Sequence, residues 1–300
     1  MFKTPRIMKN VKWVMLNLHF WSAFLDIIMG LFFTPCITVP VIGGYPLGII
    51  QYFGVPTPIQ AYLSFCFVAI VGVALIVFFE NRYDILVIGQ KRGQYRNPLR
   101  YFGLIAYTVL ATTYILPVFS VMPDVEAGKR HLDEILPCLP EVIRNYDTII
   151  VLAIETHPLM VTIISTLLLL IVPSQYFAFS TAYFIRFKLV GSVRTMNLQR
   201  SFFLLICLQA AIPFMIIIPP ICYIIFSVST LYYNQAINNI ATLIISIHGL
   251  ISTIAMLTLH KPYREAVKHM IFESKSQAIS VSLSRTSTIL RHHNTRFLTS

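Results

Sequence analysis

The chain has 300 residues, 56% of them hydrophobic and 12% charged, and carries a net charge of +11. So apolar a composition excludes an ordinary soluble domain. The basic excess lies beside apolar segments without any nucleic-acid recognition motif, which excludes nucleic acid as a partner and leaves anionic membrane lipid.

Six apolar blocks, at 13–42, 59–79, 101–122, 157–185, 201–227 and 236–259, each supply the roughly 20 residues a helix needs to cross about 30 Å of hydrocarbon. Of 23 Lys and Arg, 20 fall in 1–12, 80–100, 186–200 and 260–300, and three in the alternating connectors 43–58, 123–156 and 228–235. That asymmetry assigns both termini and the two basic loops to the cytosol. The expected fold is all-α, a polytopic transmembrane helix bundle over 1–272, with 273–300 as a separate tail.

Lys3, Arg6, Lys9 and Lys12 lead into the first block, which is too long for a signal-peptide core and lacks a small-residue cleavage site. Inside it, Asp26 is the one carboxylate deep within an apolar block, 13 residues past Trp13. That distance is about 20 Å along a helix. An intramembrane carboxylate serves an ion, a proton or a hydrogen-bonded switch, or else a structural hydrogen bond. Asn238, Asn239 and Ser246 are the polar groups of other blocks available to meet it. Gly30, Pro35 and Pro40 punctuate this first block, and an uncharged, Gly- and Pro-rich connector follows to Pro58.

The second block closes on Glu80-Asn81-Arg82-Tyr83. Arg82 at the mouth of a bundle is either a switch that exchanges partners or a side chain snorkelling to lipid phosphate. The connector 91–100 is basic, with a turn at Asn97-Pro98 before the third block. The long connector 123–156 holds seven of the twelve acids and Cys138, and reads as either a lid or a solvated loop. In the fifth block, Pro213 should kink the helix and Pro219-Pro220 should break or end it. Residues 262–272 should form an amphipathic helix in the cytoplasmic interface, with Tyr263, Ala266, Val267, Met270 and Ile271 on one face. The tail 273–300 carries eleven Ser or Thr and should be disordered.

Tyr62, Phe65, Tyr114, Tyr223 and Tyr233 lie toward the outer side, where they either line a pocket for a small apolar molecule or belong to packing and lipid-interface belts. His19, His157 and His248 are scattered and read as polar packing. The five cysteines make no metal or disulfide pattern, and no residue set points to a cofactor. With no HExxH, GxSxG or phosphate loop, the sequence does not read as an enzyme.

The segments Phe2-Lys3-Thr4-Pro5, Met8-Lys9-Asn10-Val11-Lys12-Trp13, Leu16-Asn17-Leu18-His19-Phe20-Trp21, Gly44-Tyr45-Pro46-Leu47-Gly48, Val55-Pro56-Thr57-Pro58-Ile59-Gln60, Glu80-Asn81-Arg82 and His260-Lys261-Pro262-Tyr263-Arg264 resemble the nematode serpentine receptor class H chemoreceptors. The resemblance runs from residue 2 to about 272. It implies a rhodopsin-like, seven-helix G-protein-coupled receptor in the plasma membrane of sensory neurons, on their cilia. Such a receptor responds to environmental small molecules through a heterotrimeric G protein, with no chemistry and no cofactor. By analogy with rhodopsin-like receptors, Ala23-x-x-Asp26 resembles their sodium-site stretch and Arg82-Tyr83 their Arg-Tyr pair. Here Asn81 stands at the usual acid position with Glu80 one residue earlier, and Thr57 stands where a partner for Cys138 is usual. Glu80, Arg82, Tyr83 and Asp26 are accordingly the switch and coupling candidates. The resemblance starts at the family's first cytoplasmic loop, so the expectation is a member with six of its seven spans. The alternatives are a ligand-gated channel, a small transporter, or a truncated receptor product that does not signal.

Overall fold

The structure, a computed structural model, describes residues 12–89, 96–137, 139–144, 148–259 and 264–265. Cys138, the expected amphipathic helix apart from Arg264 and Glu265, the tail, and Lys3, Arg6 and Lys9 lie outside the described residues. The chain forms two compact units. In the unit of Met1–Thr4 and Ile254–Ser300, Thr258 Oγ1 donates to Ile254 O at 3.0 Å and Arg264 Nη1 to Thr258 O at 3.3 Å. Pro5–Thr253 is the other unit.

Helix α1, Lys12–Ile27, runs into a π-helical turn at Ile28–Phe33. Thr34, with φ of 40°, ends it by donating its N–H to Met29 O. The first span thus stops at Phe33, not at residue 42. Pro35 has no N–H to continue a helix, and the apolar residues after it enter a small sheet instead. Strand β1, Pro35–Ile37, pairs antiparallel with β2, Gly43–Pro46, and β2 pairs with β3, Ile150–Val151. A Cβ on Gly43 or Gly44 would overlap a carbonyl of the neighbouring strand, so only glycine fits there. This sheet is an addition to the helical architecture expected from the sequence.

A 3-10 turn at Ile49–Phe53 leads to α2, Thr57–Tyr83, which has Pro58 in its first turn and passes into a second π-helical turn at Asp84–Ile88. Then come α3 (Arg96–Thr113), α4 (Leu116–Ser120), α5 (Val125–Ile135), α6 (Glu141–Arg144), α7 (Thr156–Phe187), α8 (Val193–Thr230) and α9 (Gln235–Leu259). The Asp124 carboxylate caps α5 through Ala127 N–H, at 2.6 Å. The described residues of the long connector are therefore folded, and Leu132, Leu136, Leu139, Ile149 and Val151 pack with Cys36 and Tyr45 of the sheet and with Val41 between its first two strands.

Six helices of the described residues are long and apolar enough to cross a membrane: Trp13–Phe33, Thr57–Ile88, Pro98–Ser120, Thr156–Phe187, Val193–Thr230 and Gln235–Thr258. They make the chain a multi-pass membrane protein. Large apolar side chains along them point outward, among them Phe20, Ile105, Phe179, Leu204 and Leu243, as lipid-facing surface requires. α2 is the central helix, packed by α1, α3 and α7 around Ala69, Val73, Ile76, Ala111 and Leu170. α8 continues unbroken through Pro213, Pro219 and Pro220 to Thr230, against the expected break. Each proline forfeits one N–H, whereas ending the helix within hydrocarbon would strand several backbone groups.

Candidate functional site

The sheet gathers connectors 34–56 and 121–155 at one end of the bundle. Two aromatic clusters lie beneath it. Tyr62 and Phe65 pack with Phe119, Ile115 and Leu159 against Ile150, and the Tyr62 hydroxyl donates to Thr112 O at 3.2 Å. Tyr114 is apart from them, partly exposed and hydrogen-bonded to Ser165 Oγ at 3.2 Å. Tyr233 packs with Cys36, Tyr45 and Val151, while the Tyr223 hydroxyl donates to Asn238 Oδ1 at 2.6 Å. Alternation along β3 sends Ile150 to the first cluster and Val151 to the second, so the strand is wedged between them. The five expected pocket residues therefore fall into separate packing groups. A cavity of about 240 Å³ at this end is lined by Thr57, Pro58, Met122, Asp124, Thr148 and Ile150 among others.

The buried amide of Asn238 and the half-buried amide of Gln235 tie the sheet to α9. Asn238 Nδ2 donates to Val39 O at 3.1 Å, and Gln235 Nε2 donates to Ile37 O at 3.0 Å and Asn239 Oδ1 at 2.8 Å. Burial pushes the Cys36 thiol up from its ordinary value, partly offset by its hydrogen bond with Tyr45, and burial likewise raises the Tyr233 phenol.

In the middle of the bundle, Asp26 meets the α9 backbone and His248 rather than the side chains of Asn238, Asn239 or Ser246. Its Oδ1 accepts from Gly249 N–H at 3.1 Å and its Oδ2 from Leu250 N–H at 2.5 Å. His248 Nδ1 lies 3.2 Å from Asp26 Oδ1 and 2.7 Å from Ile245 O. Both neighbours are acceptors, so Nδ1 carries the proton. The contact needs Gly249, because a Cβ there would sit 2.7 Å from Ser22 O and 2.9 Å from Asp26 Oδ2. One turn away, Thr253 Oγ1 donates to Gly249 O at 2.9 Å, which leaves its oxygen free to accept from His19 Nδ1 at 3.4 Å. His19 Nε2 is then the acceptor for the amide of Gln209 on α8. His19 and His248 thus belong to one polar seam across α1, α8 and α9, and Gln209 is a member that sequence reasoning missed. Its signal was available, since a Gln within an apolar block must find a partner.

At the opposite end, Glu80, Asn81, Arg82 and Asp84 are all buried. Arg100 of α3 clamps Glu80, with Nε 2.8 Å from Oε1 and 2.9 Å from Oε2 and a further bond through Nη2. Its Nη1 stands 3.6 Å from Asp84 Oδ2. Arg82 takes no acid among the described residues. Its Nη2 donates to Gln199 Oε1 on α8, its guanidinium lies 5.0 Å from the centre of the Phe202 ring, and its buried Nε has no hydrogen-bond partner. Tyr83 turns the other way, its ring 5.4 Å from Phe177 and 6.4 Å from Tyr176 on α7. So Glu80 and Arg82, neighbours in the sequence, serve different helices. Arg100, Gln199 and Phe202 complete the arrangement, and no local spacing announced them.

The family model for the serpentine type seven-transmembrane G-protein-coupled chemoreceptor Srh matches residues 1–273. The serpentine receptor class H-72 of Caenorhabditis elegans is 28% identical over 290 residues, covering 93% of this chain and 81% of the relative. No solved structure matches.

Proposed function

The chain belongs to the serpentine chemoreceptor family Srh, a family of chemosensory G-protein-coupled receptors, and from that premise we propose that its sheet end receives an environmental small molecule and its Arg82 end activates a heterotrimeric G protein. The receptor would stand in the plasma membrane of sensory cilia with the Arg82 end in the cytosol, the side to which 20 of the 23 Lys and Arg belong. The observation that carries the reading is the Arg82–Gln199 bond. It latches α2 to α8 and keeps a guanidinium buried that nothing acidic neutralises among the described residues. Moving α8 outward breaks this latch and uncovers a cationic fork suited to carboxylates and backbone carbonyls of a G protein. Glu80 and Asp84 do not restrain Arg82, since Arg100 holds them.

Polar contacts give the sheet a route to the latch. Asn238 joins the sheet to α9, Thr253 and His19 join α9 to Gln209 of α8, and Gln199 lies further along the same helix. Asp26 pins α1 to α9 along that route. The test is second-messenger output in cells with surface receptor counted in parallel. Gln199→Ala should raise output without added stimulus, and Arg82→Ala should abolish it while leaving surface receptor in place. Unchanged output from both variants removes the latch.

A further inference from the structure

We propose that the groove between the ends of α2 and α7 binds a phospholipid with an anionic headgroup, taken from the leaflet at the Arg82 end. The groove has a volume of about 520 Å³ and is lined by Tyr83, Val87, Phe179, Tyr183 and Phe184, with Ser180 and Lys188 as its other residues. It opens where α2 gives way to its π-helical turn, and the packing of Tyr83 against Tyr176 and Phe177 bounds it. The volume lies in the range of ligand sites, and the wall is aromatic and aliphatic until it reaches the amine.

Position selects a lipid as occupant. Tyr176, Phe179, Tyr183 and Phe187 are 59%, 70%, 58% and 64% exposed, and their spacing puts them on one face of α7. Exposed rings on a membrane span face acyl chains, and the hydroxyls of Tyr176 and Tyr183 mark the interface. Charge selects the kind of lipid. Lys188, the first residue past α7, is exposed and has no acidic partner among the described residues, while Glu80 and Asp84 at the adjoining end of α2 are held by Arg100. Arg186 adds a second cation at the same helix end, its guanidinium 5.5 Å from the Phe187 ring centre. A sterol would fill the apolar wall and leave these cations unused; a phospholipid with a negative headgroup uses both parts. The proposal rests on membrane embedding and not on the signalling role.

The full chain in lipid nanodiscs of phosphatidylcholine, doped with either a phosphatidylserine or a phosphatidylcholine carrying a photoreactive acyl chain, tests this. Peptides containing Tyr83–Val87 and Phe179–Lys188 should take up the serine lipid about fivefold over the choline lipid, the preference one lysine near a membrane surface supplies. Lys188→Gln should lower that preference, and Ser180→Trp should block labelling by both lipids while thermal unfolding of each variant stays near that of the parent chain. Equal labelling by the two lipids, an unchanged preference in Lys188→Gln, or labelling by a photoreactive sterol in place of the serine lipid overturns the proposal. The first comparison uses the unmodified chain, so a variant that fails to fold does not rescue it.

Discussion

Replacing Gly249 with alanine should loosen the receptor although alanine is the better helix former. In an open position on a helix, Gly→Ala gains about 0.5–1 kcal/mol. At Gly249 the new Cβ would stand 2.7 Å from the Ser22 carbonyl oxygen and 2.9 Å from Asp26 Oδ2. Comfortable heavy-atom contact begins near 3.5 Å, so α1 and α9 must part by roughly 0.8 Å. Backbone cannot yield as a side-chain tip does, and the shift stretches both Asp26 bonds to the Gly249 and Leu250 N–H groups. Overpacking of this kind costs about 1–3 kcal/mol, more than the helix gain, so the net sign is destabilising. Thermal unfolding of detergent-purified protein is the measurement, with Gly103→Ala as reference because nothing lies within 4 Å of a Cβ there. Gly249→Ala should melt several degrees below the parent chain and Gly103→Ala at or above it. Equal melting of the two variants would refute the close approach of α1 and α9.

Asp26→Asn puts an amide N–H against one of the donors its carboxylate now accepts from, a cost of about 1.5–3 kcal/mol. If Asp26 is part of the route to the latch, signal should fall further than surface receptor; a fall in strict proportion reduces it to a structural pin. Arg100→Ala leaves Glu80 and Asp84 buried without their guanidinium and should cost about 3–5 kcal/mol, read as lost surface expression. Glu80→Ala should recover part of that loss in the double variant, and full additivity of the two effects would deny the pair. With Cys36 as the sole cysteine, maleimide labelling at neutral pH should lag behind that of an exposed thiol. Its raised pKa keeps it protonated, and the lag should close only as pH rises past the ordinary thiol range. Labelling at the exposed-thiol rate at neutral pH would contradict its burial under the sheet.

The spans were legible because length and charge asymmetry are properties of continuous segments. The end of the first span was not. Pro35–Ile42 is as apolar as the helix before it, and its burial in a sheet depends on Gly43, Gly44 and on Ile150, more than a hundred residues later. Hydrophobicity cannot tell a buried strand from a helix end; Pro35 was the sign that could. The same limit governs the polar contacts. Asp26 stood out as a lone intramembrane carboxylate, but besides His248 its partners are backbone N–H groups with no residue-type signature, and Gly249 alone hints at those. Glu80 and Arg82 were joined by proximity in the chain, yet their partners lie 20 and 117 residues away, distances that local spacing does not encode.

The distribution of buried polarity divides the bundle into two halves with different mechanical character. Around α2, the contacts with α3 and α7 are made by Ala69, Val73, Ala111 and Leu170, and shape-fitted apolar packing offers few alternative arrangements. On α9 the buried positions are Asn238, Ala241, Ser246, His248, Gly249 and Ser252, so most of what this helix buries is polar. Hydrogen bonds between membrane helices average only about 0.6 kcal/mol each, because a displaced donor finds another acceptor nearby. A helix held mainly by such bonds can trade one set of partners for another at small cost, whereas one held by packing must open a void to move. Arg82 sits on the packed helix and Gln199 on α8, which Gln209 joins to α9 through His19 and Thr253. In the proposed reading, the α2–α8 latch has one jaw set by apolar packing and one coupled through Gln209 to the polar helix α9, which favours that contact over the Glu80–Arg100 clamp within the packed half as the point of release.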